Sequence, residues 1–344
     1  MKIASVNWSH NCSVTLLEDG EIKFFFEEER ISRVKYDEYP FHVFNTLKEY
    51  TDEIDYFIVS GLSTGFYLQW RENIKLVNNL KSFLYKFFKV KEVIIEYVHK
   101  HHLCHASCAF YNSGFKNAVV VVLDGLGSDK NSLDEIESGY FDCEAETIFE
   151  ASYPANFKTI LSNRFIERPN VPIQNQTVGL VFQMAATYCD FHFLDGGKVM
   201  GLSAFGKKSE LPSFYVGEDV SSNAIYPEFF SNSKHKFKKE DVAFAAQKDT
   251  EKRVDYLIES VLKKTDTRNF ILTGGYAMNC VNNYRLAKKY LDINFYFEPM
   301  STDAGISYGA VKHFWHKLKN DDTIRKLKNI YLGDYILCNE QRYA

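Results

Sequence analysis

Apolar residues in the first fifty positions follow two different periods. Three short strand-like stretches, Ile3 to Val6, Val14 to Leu17 and Glu21 to Phe26, are separated by turn signals, of which Asp19-Gly20 is typical of a tight hairpin. From Phe41 to Tyr50 the apolar spacing becomes helical. The pattern therefore predicts a domain that opens with a sheet and continues as α/β structure.

The rest of the chain alternates helical and strand-like spacing. The helix predicted from His99 to Tyr111 ends at Asn112-Ser113-Gly114 and precedes the fully apolar strand Ala118 to Leu123. The other predicted elements are a strand at Tyr56 to Ser60, a helix at Phe66 to Phe88, a β-rich stretch at Val93 to Tyr97, a polar hairpin around Gly139 to Ser152, a helix at Val178 to Phe191 and a strand, turn and helix at Phe270 to Leu286.

A strand that runs into a small-residue turn occurs in both halves of the chain. We therefore expect two related α/β lobes, residues 1–117 with a variable helical insertion and residues 118–333, followed by a tail at 334–344. No low-complexity linker separates the halves, so the lobes should form one compact body with a cleft between them.

Composition narrows the class of protein. The net charge of −4 gives no global reason to expect nucleic-acid or membrane binding. No apolar run reaches the roughly 18 to 20 residues that span a bilayer, and the N-terminus has no signal-peptide pattern. The seven cysteines are odd in number and form no CxxC pair, which is typical of reduced thiols. We expect a cytoplasmic protein without a membrane partner.

Two histidines have the spacing of metal ligands. His101 and His105 lie four residues apart on a predicted helix and share one face, although a pair of solvated or core histidines has the same spacing. Asp124 follows a buried strand, where open α/β sheets bind ligands and where a carboxylate needs a partner. Two imidazoles with carboxylates favour a divalent transition ion, iron(II) or zinc, over calcium.

Three glycine pairs could bind phosphate. Gly125-Leu126-Gly127, Gly196-Gly197 and Gly274-Gly275 each lie beside a predicted strand or helix end, where backbone N–H groups can surround an anion. Each pair alone is more often a tight turn. Three such glycine pairs in one chain favour a nucleotide-binding site.

Two charged segments have less specific patterns. Glu27 to Arg30 is interpreted as a solvated helix start. Trp70 to Lys100 interleaves lysines with aromatic residues, and Lys234 to Lys239 adds a second basic cluster, so lysines could meet phosphates while aromatic rings stack on bases. The alternative is an amphipathic helix with its aromatic residues in the core.

Seven ordered segments resemble the transferase domain of the NodU-type O-carbamoyltransferase family, over residues 1 to about 333. These segments are His10 to Leu17, Glu27 to Lys35, His101 to Ala106, Val121 to Gly125, Gly197 to Leu202, Leu272 to Cys280 and Asp303 to Gly305. The family is similar in fold to the tRNA threonylcarbamoyl-transferase, sugar kinases, Hsp70 and actin. The resemblance implies a duplicated ribonuclease-H-like core with two lobes and a central nucleotide cleft.

The resemblance also implies roles for single residues. The implied metal ligands are His101, His105, Asp124 and Asp303, and the implied nucleotide contacts are Gly274, Gly275, Asn279, Gly197, Lys198 and Asp195. His10 is the candidate base for the acceptor hydroxyl, and Lys35 the candidate to steady the carbamoyl group. This chain departs from the family pattern at Asn11 and Cys12, where the family has Asp and Ala, and at Asp195, which lies one residue further from the Gly-Lys pair.

The reaction implied is transfer of a carbamoyl group from carbamoyl-adenylate, made from carbamoyl phosphate and ATP, to an acceptor hydroxyl. Relatives continue into an adenylate-forming domain that we expect to be absent here, so a separate adenylate-forming protein is a candidate source of the donor, and that source stays open. The lysine-rich, AT-biased composition suits a phage and favours 5-hydroxymethylcytosine in DNA as acceptor, with a sugar or natural-product hydroxyl as the alternative. A kinase of the same fold would need a catalytic aspartate and magnesium, and a non-catalytic nucleotide sensor stays open.

Overall fold

The computed structural model describes residues 1–62, 74–129, 140–169, 171–174, 176–217, 221–222 and 236–332. They form two compact units. Unit 1 contains Met1–Asn117, Ala151–Phe157 and the described residues from Glu298 onward, and unit 2 contains Ala118–Glu150 and Lys158–Phe297. The tail at 334–344 lies outside the described residues.

Unit 1 is built on a five-stranded mixed sheet in the order β3-β2-β1-β4-β5. The strands are β1 Lys2–Trp8, β2 Ser13–Glu18, β3 Glu21–Glu27, β4 Glu53–Leu62 and β5 Lys89–Ile94. β1, β2 and β3 pair antiparallel, which confirms the predicted hairpins, and β4 and β5 run parallel to β1. β5 ends at Ile94, inside the predicted stretch Val93 to Tyr97, because Glu96–His99 forms a 3-10 turn.

The helices of the described residues are α1 Glu28–Ser32, α2 Phe41–Tyr50, α3 Ile74–Phe87, α4 His101–Ser113, α5 Val178–Tyr188, α6 Gly196–Leu202, α7 Lys239–Leu262, α8 Cys280–Lys289 and α9 Ala304–Lys319. α4 ends at Gly114 in the left-handed region, φ +79°, as the sequence predicted. Within the described residues no helix has the length and apolarity needed to span a membrane.

The two faces of the unit 1 sheet bury different helices because side chains alternate along β1. Ala4 and Val6 pack in a core with Phe44 of α2 and Leu84 of α3. Ile3 packs in a second core with α9, which also contacts α4, β2 and β4. The sequence prediction placed α9 in the second lobe, but its apolar face is buried in unit 1.

Unit 2 repeats this strand order. Its strands are β6 Asn117–Leu123, β7 Phe141–Ser152, β8 Asn156–Arg168, β9 Val171–Gln174, β12 Asn269–Thr273 and β13 Asn294–Phe297, in the order β13-β12-β6-β7-β8-β9. The order β8-β7-β6-β12-β13 corresponds to β3-β2-β1-β4-β5, and β9 is an added edge strand. A separate two-stranded sheet contains β10 Tyr215–Val216 and β11 Ser221–Ser222. β12 is parallel to β6 and β13, as β4 is to β1 and β5. The predicted duplicated ribonuclease-H-like fold is confirmed.

One predicted element of unit 2 is wrong. The polar hairpin expected around Gly139 to Ser152 is, in its described part, the single long strand β7 inside the sheet. β7 carries the polar residue Glu146 inside the unit, where its carboxylate is fully buried and lies 3.0 Å from the guanidinium of Arg253 of α7.

Candidate functional site

Three potential metal ligands converge in unit 1. His101 and His105 lie one turn apart on α4, and their Nε2 atoms are 3.1 Å apart. Asp303 precedes α9, and its Oδ1 lies 3.7 Å from His101 Nε2 and 3.4 Å from His105 Nε2. His105 is fully buried and Asp303 is 8% exposed. The structure therefore brings these three predicted residues together.

The spacing and donor set fit a metal ion. Ligand atoms about 2.0 to 2.2 Å from a tetrahedral ion lie roughly 3.3 to 3.6 Å from one another, close to the three separations seen here. Two imidazole nitrogens and a carboxylate oxygen suit a divalent transition ion. Spacing along the sequence could find the histidine pair, whereas Asp303 came only from the family resemblance, because it lies far from the two histidines in the sequence.

His10 lies on the other side of the same carboxylate. Its Nε2 is 3.1 Å from Asp303 Oδ2, and its side chain is 40% exposed. Because an ionised carboxylate can only accept, the Nε2–H of His10 is the donor in this contact, and in a neutral imidazole Nδ1 is then the acceptor nitrogen. Asp303 thus faces the histidine pair with one oxygen and His10 with the other.

Lys35 lies in an exposed loop, with its Nζ 4.5 Å from the centre of the Tyr36 ring. This loop is joined to the turn that carries His10, because Cys12 N donates to Asp37 O at 3.3 Å. The structure thus connects the two predicted catalytic segments through the main chain.

The charge run before Lys35 does start a helix, since α1 begins at Glu28, but the interpretation as solvated is wrong for Glu28. The Glu28 side chain is fully buried. Its oxygens accept from His42 N at 2.9 Å and Val43 N at 2.8 Å, the free amides of the first turn of α2. The motif therefore connects α1 to α2.

Unit 2 has its own group of predicted residues. Asp124 follows β6, is 6% exposed, and its Oδ1 accepts from Gly275 N at 3.0 Å. Gly274 follows the adjacent parallel strand β12 with φ +88°, and a Cβ there would lie 2.4 Å from Leu123 O. The structure brings Asp124, Gly274 and Gly275 together at the carboxyl ends of two neighbouring strands, where such sheets bind ligands.

The other predicted nucleotide residues of unit 2 have partners within the protein. Asn279 caps α8 by accepting from Asn282 N at 3.0 Å, and it donates to Gln247 Oε1 at 2.8 Å. Lys198 donates to Asp195 Oδ2 at 2.6 Å across the start of α6. A Cβ on Gly197 would meet nothing within 4 Å, so this glycine faces open space.

Sequence reasoning missed Thr177 and Gly179 at the start of α5. Thr177 Oγ1 accepts from Leu180 N at 2.9 Å and donates to Gly125 O at 2.6 Å. A Cβ on Gly179 would lie 2.6 Å from Asp124 O. The signal available was a threonine immediately before a helix with glycine two residues later, and its effect is to hold the Asp124 turn against the N-terminus of α5.

We expect Gly274→Ala to destabilise unit 2 by about 2 kcal/mol or more, because the added Cβ meets the main chain of β6 at a positive φ. Gly197→Ala is the matched control. This helical position has room for a methyl group, so the stability should stay unchanged or rise by about 0.5 to 1 kcal/mol. Urea unfolding of both variants measures the difference, and equal stabilities would contradict the role given to Gly274.

Solved structures share this fold. HypF from T. kodakarensis aligns with a TM-score of 0.54 at 9% identity, covering 93% of this chain and 48% of HypF. A full-length HypF in a phosphate- and nucleotide-bound form aligns with a TM-score of 0.54 at 11% identity, covering 93% of this chain and 56% of that one. At these identities the likeness shows the fold.

Sequence relatives indicate the family. The nodulation protein NolNO of Sinorhizobium fredii is 23% identical over an alignment of 359 positions, which covers 94% of this chain and 49% of NolNO. NolO of Bradyrhizobium diazoefficiens is 25% identical over 257 residues, covering 70% of this chain and 42% of NolO. The chain thus spans about half the length of these curated relatives. The family model described as carbamoyltransferase N-terminus matches residues 63–311. This chain belongs to the carbamoyltransferase N-terminus family.

Proposed function

We propose that this chain transfers a carbamoyl group from carbamoyl-adenylate, formed from carbamoyl phosphate and ATP, to an acceptor hydroxyl. The observation that carries the proposal is the position of Asp303, whose two oxygens face the His101 and His105 pair and His10. A kinase would rely on hard oxygen ligands for magnesium, and an imidazole pair is a poor set for that ion. Membership of the carbamoyltransferase family supports the same reaction.

In the proposed step the acceptor oxygen attacks the carbonyl carbon of carbamoyl-adenylate. The new C–O bond forms as the bond from that carbon to the phosphate oxygen breaks, and AMP leaves with the electron pair. The acceptor proton passes to Nδ1 of His10, whose orientation is fixed by the contact of Nε2 with Asp303. The products are an O-carbamate and AMP.

The proposed metal ligands are His101, His105 and Asp303, with Asp124 as the fourth. Burial of Asp124 at the end of β6 supports its assignment, since a buried carboxylate is commonly paired or bound to a metal. Iron(II) or zinc fits this ligand set, and the bound ion would stabilise the negative charge that develops on the carbonyl oxygen.

The adenylate is proposed to bind in unit 2. The turn at Gly274 and Gly275 and the start of α5 meet the Asp124 turn at the carboxyl end of β6, where such sheets bind ligands. The open space at Gly197, next in sequence to Lys198, suits a phosphate, and Asp195, which pairs with Lys198, and Asn279 are proposed as further nucleotide contacts. Lys35 is proposed to steady the carbamoyl group from its exposed loop.

The acceptor has two candidates. For 5-hydroxymethylcytosine in DNA, the described side chains of the basic segment offer little support. Phe83 and Phe87 pack against Phe44. Lys89 pairs with Asp52 and Glu53, and Lys91 pairs with Asp55. A small hydroxylated molecule such as a sugar needs no such surface, and we propose it as the acceptor class.

The test is a transfer assay with synthetic carbamoyl-adenylate and three acceptors: a sugar panel, hydroxymethylated DNA and plain DNA. We expect AMP release that matches the O-carbamate formed on a sugar, both lost after chelation and restored by iron(II) or zinc. Carbamoylation confined to hydroxymethylated DNA would overturn the acceptor class. AMP release no faster than spontaneous hydrolysis with every acceptor would overturn the reaction.

A further inference from the structure

Asn7, near the end of β1, connects the segments that carry His10 and Asp303. Its Nδ2 donates toward three main-chain oxygens, those of His10 at 3.3 Å, Asn11 at 3.2 Å and Asp303 at 3.1 Å. Its Oδ1 accepts from Ser9 Oγ at 2.7 Å, which fixes which end of the amide faces these oxygens. One fully buried amide therefore holds both the turn of the proposed base and the main chain of a proposed metal ligand.

The neighbouring strand leaves space for this amide. A Cβ on Gly61 of β4 would lie 2.1 Å from Asn7 Oδ1. The pairing of β1 with β4 also shifts register between Val6 and Asn7. Any side chain at position 61 would displace the amide, so two strands together set its position.

The start of α9 is held independently of Asn7. Ser13 of β2 donates to Ala304 O at 2.7 Å and lies 2.8 Å from Ser307 Oγ. Removing the Asn7 amide should therefore leave α9 in place. It should release only the His10 turn and the main chain of Asp303, and thereby change the orientation of the Asp303 carboxylate. Asn11, in this turn, has φ +58°, a conformation that costs energy for a non-glycine residue and needs support from its surroundings.

We propose that Asn7 is a positioning residue for the transfer reaction. It fixes the His10 turn against Asp303, so that one carboxylate oxygen meets His10 Nε2 while the other stays with the histidine pair of α4. The inference rests on the proposed function for its catalytic consequence. Its structural consequence, the orientation of a metal-binding carboxylate, can be measured without turnover.

Asn7→Ala and Gly61→Ala test the proposal, with Ser60→Ala as the matched control. Ser60 is a fully buried residue of β4 whose Oγ donates to Val6 O at 3.0 Å and accepts from Ser5 Oγ at 3.1 Å. The control thus loses buried hydrogen bonds in the same strand pair without touching the His10 turn. All three variants should show similar losses of thermal stability.

In the cobalt(II)-loaded protein, we expect the two test variants to change the visible absorption of the metal and to weaken its binding by about 10- to 100-fold. Ser60→Ala should keep the wild-type spectrum. In the transfer assay the test variants should lose about 100-fold in kcat with little change in the KM for the donor. In a His10→Ala background, Asn7→Ala should cost much less, since both changes remove the same positioned base.

Spectra and metal affinities of Asn7→Ala that match those of Ser60→Ala would overturn the proposal. The proposal would also be overturned if the double variant lost kcat by the product of the losses seen in Asn7→Ala and in His10→Ala. If the wild-type chain transfers no carbamoyl group, the proposed function fails, while the cobalt measurements still decide whether Asn7 positions Asp303.

Discussion

The double variant His101→Ala/His105→Ala should lose nearly all bound metal, falling from about one ion per chain to below about a tenth. The two imidazoles supply two of the three donor atoms that meet in unit 1, and Asp303 alone cannot hold a transition ion against water. Turnover should fall by at least about a thousandfold, since loss of ligands themselves exceeds the 10- to 100-fold typical of their supporting residues. Elemental analysis of the purified protein and the transfer assay measure the two effects.

His99→Ala is the matched control for this variant. His99 is an exposed histidine just before α4, outside the group of donor atoms. The His99→Ala variant should keep the metal content and the turnover of the wild-type protein. Full metal content in the double variant would remove the basis of the metal assignment.

His10→Ala should lower kcat by about 10² to 10⁴ while the metal content stays at the wild-type level. His10 contacts the Asp303 oxygen that faces away from the histidine pair, so its loss removes the proposed base without removing a ligand. The side chain is 40% exposed, so added imidazole should reach the vacated space and restore part of the rate.

Imidazole rescue separates this role from a structural one. A positioning role for His10 would give a low rate that imidazole leaves unchanged, because the small molecule would not rebuild the main-chain turn. Wild-type turnover in His10→Ala would contradict the assignment of the base.

Local signals in the sequence predicted much of the fold. The alternation of β1 and β2, the Asp19-Gly20 turn and the stop at Gly114 act over a few residues, and the structure has all of them. The histidine spacing on α4 is local in the same sense. Period and turn chemistry are enough for such features.

Long-range pairing could not be predicted from these signals. In the sequence Glu28 is one of several adjacent charged residues. Only the fold shows that its carboxylate accepts hydrogen bonds from the first amides of α2. Asp303 joins His10 and the α4 histidines across a large stretch of sequence. The burial of Asn7 beside Gly61 depends on the register of two strands that are far apart in the chain.

An anomalous difference map collected at the absorption edge of the bound metal shows whether His101, His105 and Asp303 hold the ion. We expect one peak in unit 1, about 2.0 to 2.2 Å from His101 Nε2, His105 Nε2 and Asp303 Oδ1. A metal-loaded crystal with its peak elsewhere, or with none at these three atoms, would contradict this assignment.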